Sequence, residues 1–81
     1  MERYRVSKRN QVASLAQAID HRLQMDNEME LSAIGVEANH TALKAIASLD
    51  GFVAVPTVRM RFENVDEGEH QYKAVVYHLQ R

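Results

Sequence analysis

Two stretches with the spacing of a buried helix face, each following a short strand pattern, restrict the folds open to this chain. In the first, "NQVASLAQAIDHRLQM", apolar residues recur at i, i+3, i+4, i+7 and i+11 on one side of a helix; they are Val12, Leu15, Ala16, Ile19 and Leu23. Ser7 or Asn10 is expected to cap its start, because either side chain can accept from the free amides of the first turn. The helix is expected to end near "MDNE".

The second helix pattern, "NHTALKAIASLDG", follows the apolar run "MELSAIGV". A single hydroxyl interrupts the run from Leu31 to Val36, which predicts a strand buried on both faces. The residues expected to face inward from the second helix are Leu43, Ile46, Ala47 and Leu49. Gly51 is expected to stop the helix at its carboxyl end.

Strand patterns open and close the chain. Tyr4 and Val6 alternate with Arg3 and Arg5 in "RYRVS", and "VRMRFENV" and "HQYKAVVYHL" are joined by the turn "DEGE". Val58, Met60 and Phe62 alternate with polar residues, which predicts a half-buried strand. The predicted order is β-α-β-α-β-β, an α+β two-layer sandwich with two helices on one face of a small mixed four-stranded sheet.

Length, charge and residue usage limit the class of protein. A chain of 81 residues is predicted to form one domain, residues 1–81, that buries only about 60% of its unfolded surface and gains stability by oligomerising. The chain has no cysteines, so no disulfide framework is expected. The charged stretch "MERYRVSKRN" does not have the apolar core of a signal peptide, so a cytoplasmic protein is expected. The net charge is −1, from ten basic and eleven acidic residues, so any nucleic-acid contact must depend on a local basic patch.

Motifs for catalysis, cofactors and metals are missing from the sequence. Gly35 has no second glycine or Gly-Lys-Ser/Thr ending near it, which excludes a Walker-type nucleotide loop. No histidine pair has the i, i+3 or i+4 spacing of a metal site, and no serine stands in a glycine elbow. A non-catalytic protein without cofactor or metal is therefore expected.

Three segments carry a family resemblance: "AIG" at 33–35, "ALKAIA" at 42–47 and "GFVA" at 51–54. In this order and spacing the region from Val6 to Ala54 resembles the bacterial stage V sporulation protein S family, which belongs to the Alba-like group of small nucleic-acid-associated proteins. The resemblance implies an Alba-like fold, a homodimer and a DNA-binding or RNA-binding role.

Nine residues are candidates for contacts with nucleic acid or another anion. Alba-like proteins are similar in that a basic pair in this loop is their main phosphate-contacting element, and Lys8 and Arg9 match that pair. Both residues lie beside the free backbone amides at the start of a helix, where an anion is favoured. The full set is Ser7, Lys8, Arg9, Asn10, Asn39, His40, Lys44, Arg59 and Arg61. Two alternatives stay open for parts of this set: "GVEANHT" is scaffold, and the strand arginines pair with Glu63 or Glu69.

The sequence favours a regulatory protein that contacts phosphates with little base readout. The expected partners are a second copy of the chain and DNA or RNA, with no membrane contact. The acidic turn "DEGE" favours one alternative, a protein-protein interaction module, and departs from the basic hairpin arms of Alba proteins. The other alternative is a pocket for a small anionic, nucleotide-like ligand between the loops that precede the helices.

Overall fold

The helices and strands follow one another in the order that the sequence predicts. The computed structural model describes residues 1–51 and 56–81; Phe52, Val53 and Ala54 of the family resemblance lie outside them. The elements are β1 (Glu2–Val6), α1 (Val12–Asp26), β2 (Glu28–Ile34), α2 (Val36–Ala47), a short 3-10 helix (Ser48–Gly51), β3 (Thr57–Glu67) and β4 (His70–Gln80).

The four strands form one mixed sheet in the order β1-β2-β4-β3. β1 runs parallel to β2, with Val6 opposite Ala33, while β4 is antiparallel to both β2 and β3. Because β1 and β2 are parallel neighbours, their carboxyl ends meet at one edge of the sheet. The loops that lead into α1 and α2 therefore start side by side.

Helix α1 packs as its spacing predicts. Leu15, Ala16, Ile19 and Leu23 are buried, and Val12 packs against the same core. The helix ends at Asp26, and Asn27 adopts a left-handed conformation with φ of 65° while its amide donates to the Leu23 carbonyl. The predicted end near "MDNE" is thus confirmed.

The start of α1 differs from the expectation. Gln11 is the N-cap residue, and no side chain caps the helix. Asn10 Oδ1 accepts from the Ser7 amide at 2.7 Å, and Ser7 Oγ accepts from the Arg9 amide at 3.0 Å. The capping prediction is wrong because the preceding loop uses these two acceptors itself.

Helix α2 presents small residues to the core. Its buried residues are Ala38, Ala42 and Ala45, Ile46 packs partly against the core and Leu49 of the 3-10 helix is buried. Leu43 is 48% exposed and Ala47 is exposed, so the inward orientation expected for these two residues is wrong. The alanine row lets the helix backbone approach its neighbours closely, and this orientation turns Leu43 outward.

The two faces of the sheet differ in their cover. On the helix side, Met29, Leu31 and Leu79 are completely buried. No helix packs on the other side, called the open face below. Along each strand, residues on the open face alternate with residues on the helix side. β2 is also well covered on the open face, where Glu30 is 7% exposed. Val36, expected in this buried strand, is instead the first residue of α2 and 85% exposed.

The helix side of β3 is left uncovered. Val58, Met60 and Phe62, called the apolar row below, are 36%, 59% and 71% exposed. Within the single chain the expected half-buried strand is therefore wrong. α1 packs on β2, and α2 packs on β1 and β2, so the helical layer is centred away from the edge strand β3.

Candidate nucleic-acid interface

A cavity separates the two loops that lead into the helices. Its volume is about 490 Å³. Ser7 and Lys8 line it from the first loop, and the stretch from Gly35 to Ala38 lines it from the second. Parallel pairing of β1 and β2 thus brings together two segments that lie about thirty residues apart in the sequence.

The first loop holds its shape through its own polar groups. Besides the two side-chain hydrogen bonds of Ser7 and Asn10, the Asn10 amide donates to the Ser7 carbonyl at 3.1 Å. Lys8 and Arg9 project from this tight turn, and both side chains are exposed. Within residues 1–51 and 56–81 neither makes an ion pair. The loop therefore presents two uncompensated positive charges on an ordered backbone.

The second loop has a structural role at Gly35 and Asn39. Gly35 has φ of 87° and ψ of 166°, a conformation that residues with a Cβ rarely adopt. Asn39 Nδ2 donates to the carbonyls of Gly35 (2.8 Å) and Ala33 (3.3 Å), and its Oδ1 accepts from the Tyr77 hydroxyl at 2.6 Å. Both amide hydrogens of Asn39 are thus used within the chain, as the scaffold alternative predicts.

His40 and Lys44 lie outside the cavity between the loops. His40 borders a second, largely apolar groove of about 500 Å³ with Gly35, Val36, Asn39 and Leu43. Lys44 is exposed in the last turn of α2. Glu37 lines the first cavity and brings a negative charge to it. The positive charge of this cavity therefore comes from the β1 side.

Four side chains form a closed ring of ion pairs on the open face. Arg3 contacts Glu30 (2.7 Å) and Glu63 (3.0 Å), and Arg61 contacts the same two carboxylates at 2.9 and 2.8 Å. The ring spans the sheet from β1 to β3 and covers Ala74 and Val76 of β4, which are 1% and 0% exposed. Arg61, a candidate phosphate contact, therefore already has two anionic partners.

Hydrogen bonding within the ring shifts the pKa of every member. The guanidinium of Arg61, and next that of Arg3, lowers the pKa of Glu30 against the opposing effect of burial. Arg3 first and Arg61 second lower the pKa of Glu63. The carboxylates in turn raise the pKa of both arginines. All four groups are charged at neutral pH, and the ring has no net charge.

A further ion pair joins the two edge strands. Arg5 Nη2 lies 2.8 Å from Glu67 Oε1, near the end of β3. Arg59, by contrast, has no ion pair in the part of the chain that the structure describes. The alternative that a strand arginine pairs with Glu63 is confirmed for Arg61, whereas Glu69 pairs with neither arginine among the described residues.

Sequence reasoning missed Arg3, Arg5 and Glu30 as members of a charged surface. The alternation of Arg3 and Arg5 with Tyr4 and Val6 was a usable signal, since it places both arginines on one face. Their partners could not be found in the same way, because the pairing depends on which strands are neighbours.

The chain matches a known protein family over nearly its whole length. Residues 2–80 match the stage V sporulation protein S family. The chain belongs to this family. The match extends the resemblance, seen from Val6 to Ala54, to the first strand and the whole C-terminal hairpin of this stage V sporulation protein S domain.

Solved structures extend the comparison to the fold. Alba from Thermoplasma volcanium superposes on this member of the stage V sporulation protein S family with a TM-score of 0.61, covering 99% of this chain and 100% of that one at 13% identity. The fold is therefore Alba-like. A search among curated proteins found none that matches. No helix among the described residues is long and apolar enough to cross a membrane.

Proposed function

We propose that this protein is a non-catalytic, dimeric regulator that binds nucleic acid by contacting phosphates through the β1-α1 loop. The observation that carries the proposal is the pair Lys8 and Arg9, exposed on an ordered loop and without an ion pair in the described residues. The family and the Alba-like fold support a regulatory, binding role.

The distribution of charge favours this loop over the open face. Three of the arginines there, Arg3, Arg5 and Arg61, are neutralised by carboxylates. With a net charge of −1, the molecule attracts phosphate only where positive charge is local and unpaired. Arg59 and Lys44 remain secondary candidates, because they are exposed and no carboxylate holds them in the described structure.

The apolar row is suited to contact with a second copy of the chain. Its three residues follow one another on a single face of an edge strand whose outer backbone groups have no partner within the sheet. Such an edge normally pairs or is covered, and two copies related by a twofold axis bury the same patch on each other. The apolar row is the proposed dimer contact.

The test is fluorescence anisotropy of labelled duplex DNA and single-stranded RNA at several salt concentrations. Lys8→Ala combined with Arg9→Ala should weaken binding by about tenfold or more for all sequences and reduce the salt slope by about 2 on duplex DNA, because two phosphate contacts are lost. The preferred probe identifies the class of nucleic acid.

A matched variant controls for the loss of two charges. Arg22→Gln combined with Arg81→Gln also removes two positive charges but leaves the loop intact, so its salt slope should stay near that of the wild type. Equal loss in both double variants would mean that net charge alone drives binding, and the site at Lys8 and Arg9 would be wrong.

The second candidate function is binding of a small anionic ligand in the cavity between the loops. The volume of about 490 Å³ and the position of Lys8 at its border favour it. In that case the protein should be stabilised to heat by nucleotides in a saturable way, with no salt-dependent binding of the DNA or RNA probe.

A further inference from the structure

Arg5 borders both the cavity between the loops and the open face. It lines the first cavity together with Ser7 and Lys8. It also lines a smaller cavity of about 250 Å³ on the open face, with Arg3, Ser32 and Glu63 among its neighbours. A phosphate backbone held at Lys8 therefore has Arg5 and then Arg3 as the next cations along the surface.

Carboxylates of β3 currently occupy these arginines. Glu67 holds Arg5 at 2.8 Å, and Glu63 holds Arg3 at 3.0 Å. Both pairs join side chains from opposite edges of the sheet, since β2 and β4 lie between β1 and β3. Together with Glu30 and Arg61 of the ring, these side chains make three arginines and three carboxylates with no net charge. The part of the open face that they cover therefore offers no attraction to phosphate while the pairs are closed.

The pair of Arg5 and Glu67 is exposed enough to exchange its partner. The side chains of Arg5 and Glu67 are 61% and 43% exposed, and solvent-exposed ion pairs contribute little stability. A phosphate offers a guanidinium the same bidentate geometry as a carboxylate. Replacing Glu67 by a phosphate on Arg5 therefore requires only the opening of one weak surface pair.

We propose that Glu67 masks Arg5, so that nucleic acid held at the β1-α1 loop extends onto the open face only when this ion pair opens. The inference rests on the proposed function, because the loop supplies the first contact. It adds an intramolecular competitor: the carboxylate of Glu67 on β3 limits both the affinity and the length of nucleic acid bound.

The test compares Glu67→Gln with Glu69→Gln in titrations of labelled duplex DNA against salt. Both variants remove one negative charge from the β3-β4 hairpin, but Glu69 has no ion pair within the described residues. Glu67→Gln should tighten binding several-fold at low salt and steepen the salt slope by about 0.9, the value for one added phosphate contact. Glu69→Gln should leave the slope unchanged.

Arg5→Ala identifies the arginine that is released. In the wild type Arg5→Ala should have little effect on DNA affinity or on the salt slope. In the Glu67→Gln background it should cancel the gain in both. Equal slopes for Glu67→Gln and Glu69→Gln would overturn the masking. Absence of binding by the wild type and every variant would overturn the proposed function together with this inference. Binding by Glu67→Gln alone, abolished by Arg5→Ala, would support masking and contradict the loop as the first contact.

Discussion

Asn39 and Tyr77 show how a residue in a motif that resembles a binding loop can serve the fold. Asn39 bridges the β2-α2 turn to the central strand β4 through three hydrogen bonds. Tyr77 is 1% exposed, and its burial raises the pKa of its hydroxyl, which keeps the hydroxyl protonated as a donor to Asn39. The "GVEANHT" stretch therefore positions the second loop.

Tyr77→Phe should destabilise the protein by about 1–2 kcal/mol, because the partly buried Asn39 Oδ1 loses its donor. Urea unfolding followed by circular dichroism measures the change. Tyr72→Phe is the matched control, since Tyr72 is 40% exposed and lies on the hairpin, and it should change the free energy of unfolding by less than about 0.5 kcal/mol. Equal effects would mean that the hydrogen bond to Asn39 contributes nothing specific.

Among the elements, the ion-pair ring takes the place of a second helical layer on the sheet. Long arginine side chains lie across the small residues of β4, so their methylene groups as well as their charges cover Ala74 and Val76. Glu30 is central, because it accepts from Arg3 and Arg61 together.

The ring predicts a loss of stability in acid. Glu30 and Glu63 have pKa values below the usual 4.5 in the folded state, so the folded protein binds fewer protons than the unfolded chain. Their contribution is present above about pH 4.5 and is lost as the pH falls through the lowered values. In thermal unfolding between about pH 6 and pH 3, Glu30→Gln should lose less stability than the wild type; an identical pH profile would show that the ring is not involved.

The sequence predicted the helices and strands better than the contacts between them. Local spacing was sufficient for α1, because Val12 to Leu23 carry one continuous apolar face. It misplaced Leu43, since the alanines on the other side of α2 fit the core more closely than leucine and spacing alone does not rank the two faces. The ring was unpredictable for a different reason: Arg3 and Glu63 are sixty residues apart, and only the strand order brings them together. The sequence placed Lys8 and Gly35 in the loops before the two helices, and both residues line one cavity. It did not predict the ion pair between Arg5 and Glu67, because that contact joins the two edge strands.

At the scale of the whole molecule, the uncovered apolar row connects the fold to assembly. The prediction that β3 is half-buried is wrong for the single chain, but it would be correct in a dimer that buries Val58, Met60 and Phe62. Two copies would also carry two pairs of Lys8 and Arg9, which raises the effective affinity for a long nucleic acid without a new type of contact.

Met60→Ser should weaken the dimer at least tenfold, because a residue at the centre of the apolar row becomes polar. Sedimentation or light scattering over a range of protein concentrations measures the dissociation constant. Met25→Ser provides the control, since Met25 lies on α1 and is 60% exposed, nearly the same as Met60 at 59%. A monomeric wild type, or an unchanged dimer in Met60→Ser, would contradict the apolar row as the dimer contact.

The position of β4 in the sheet has a consequence for biosynthesis. β4 is translated after the three other strands but lies between β2 and β3. Until residues 70–80 have left the ribosome, β2 exposes a free edge next to the apolar helix face, and α1 and α2 have only half of their sheet to pack on. Folding therefore has to wait for the last strand, and a nascent chain stalled before His70 would present an aggregation-prone edge to chaperones.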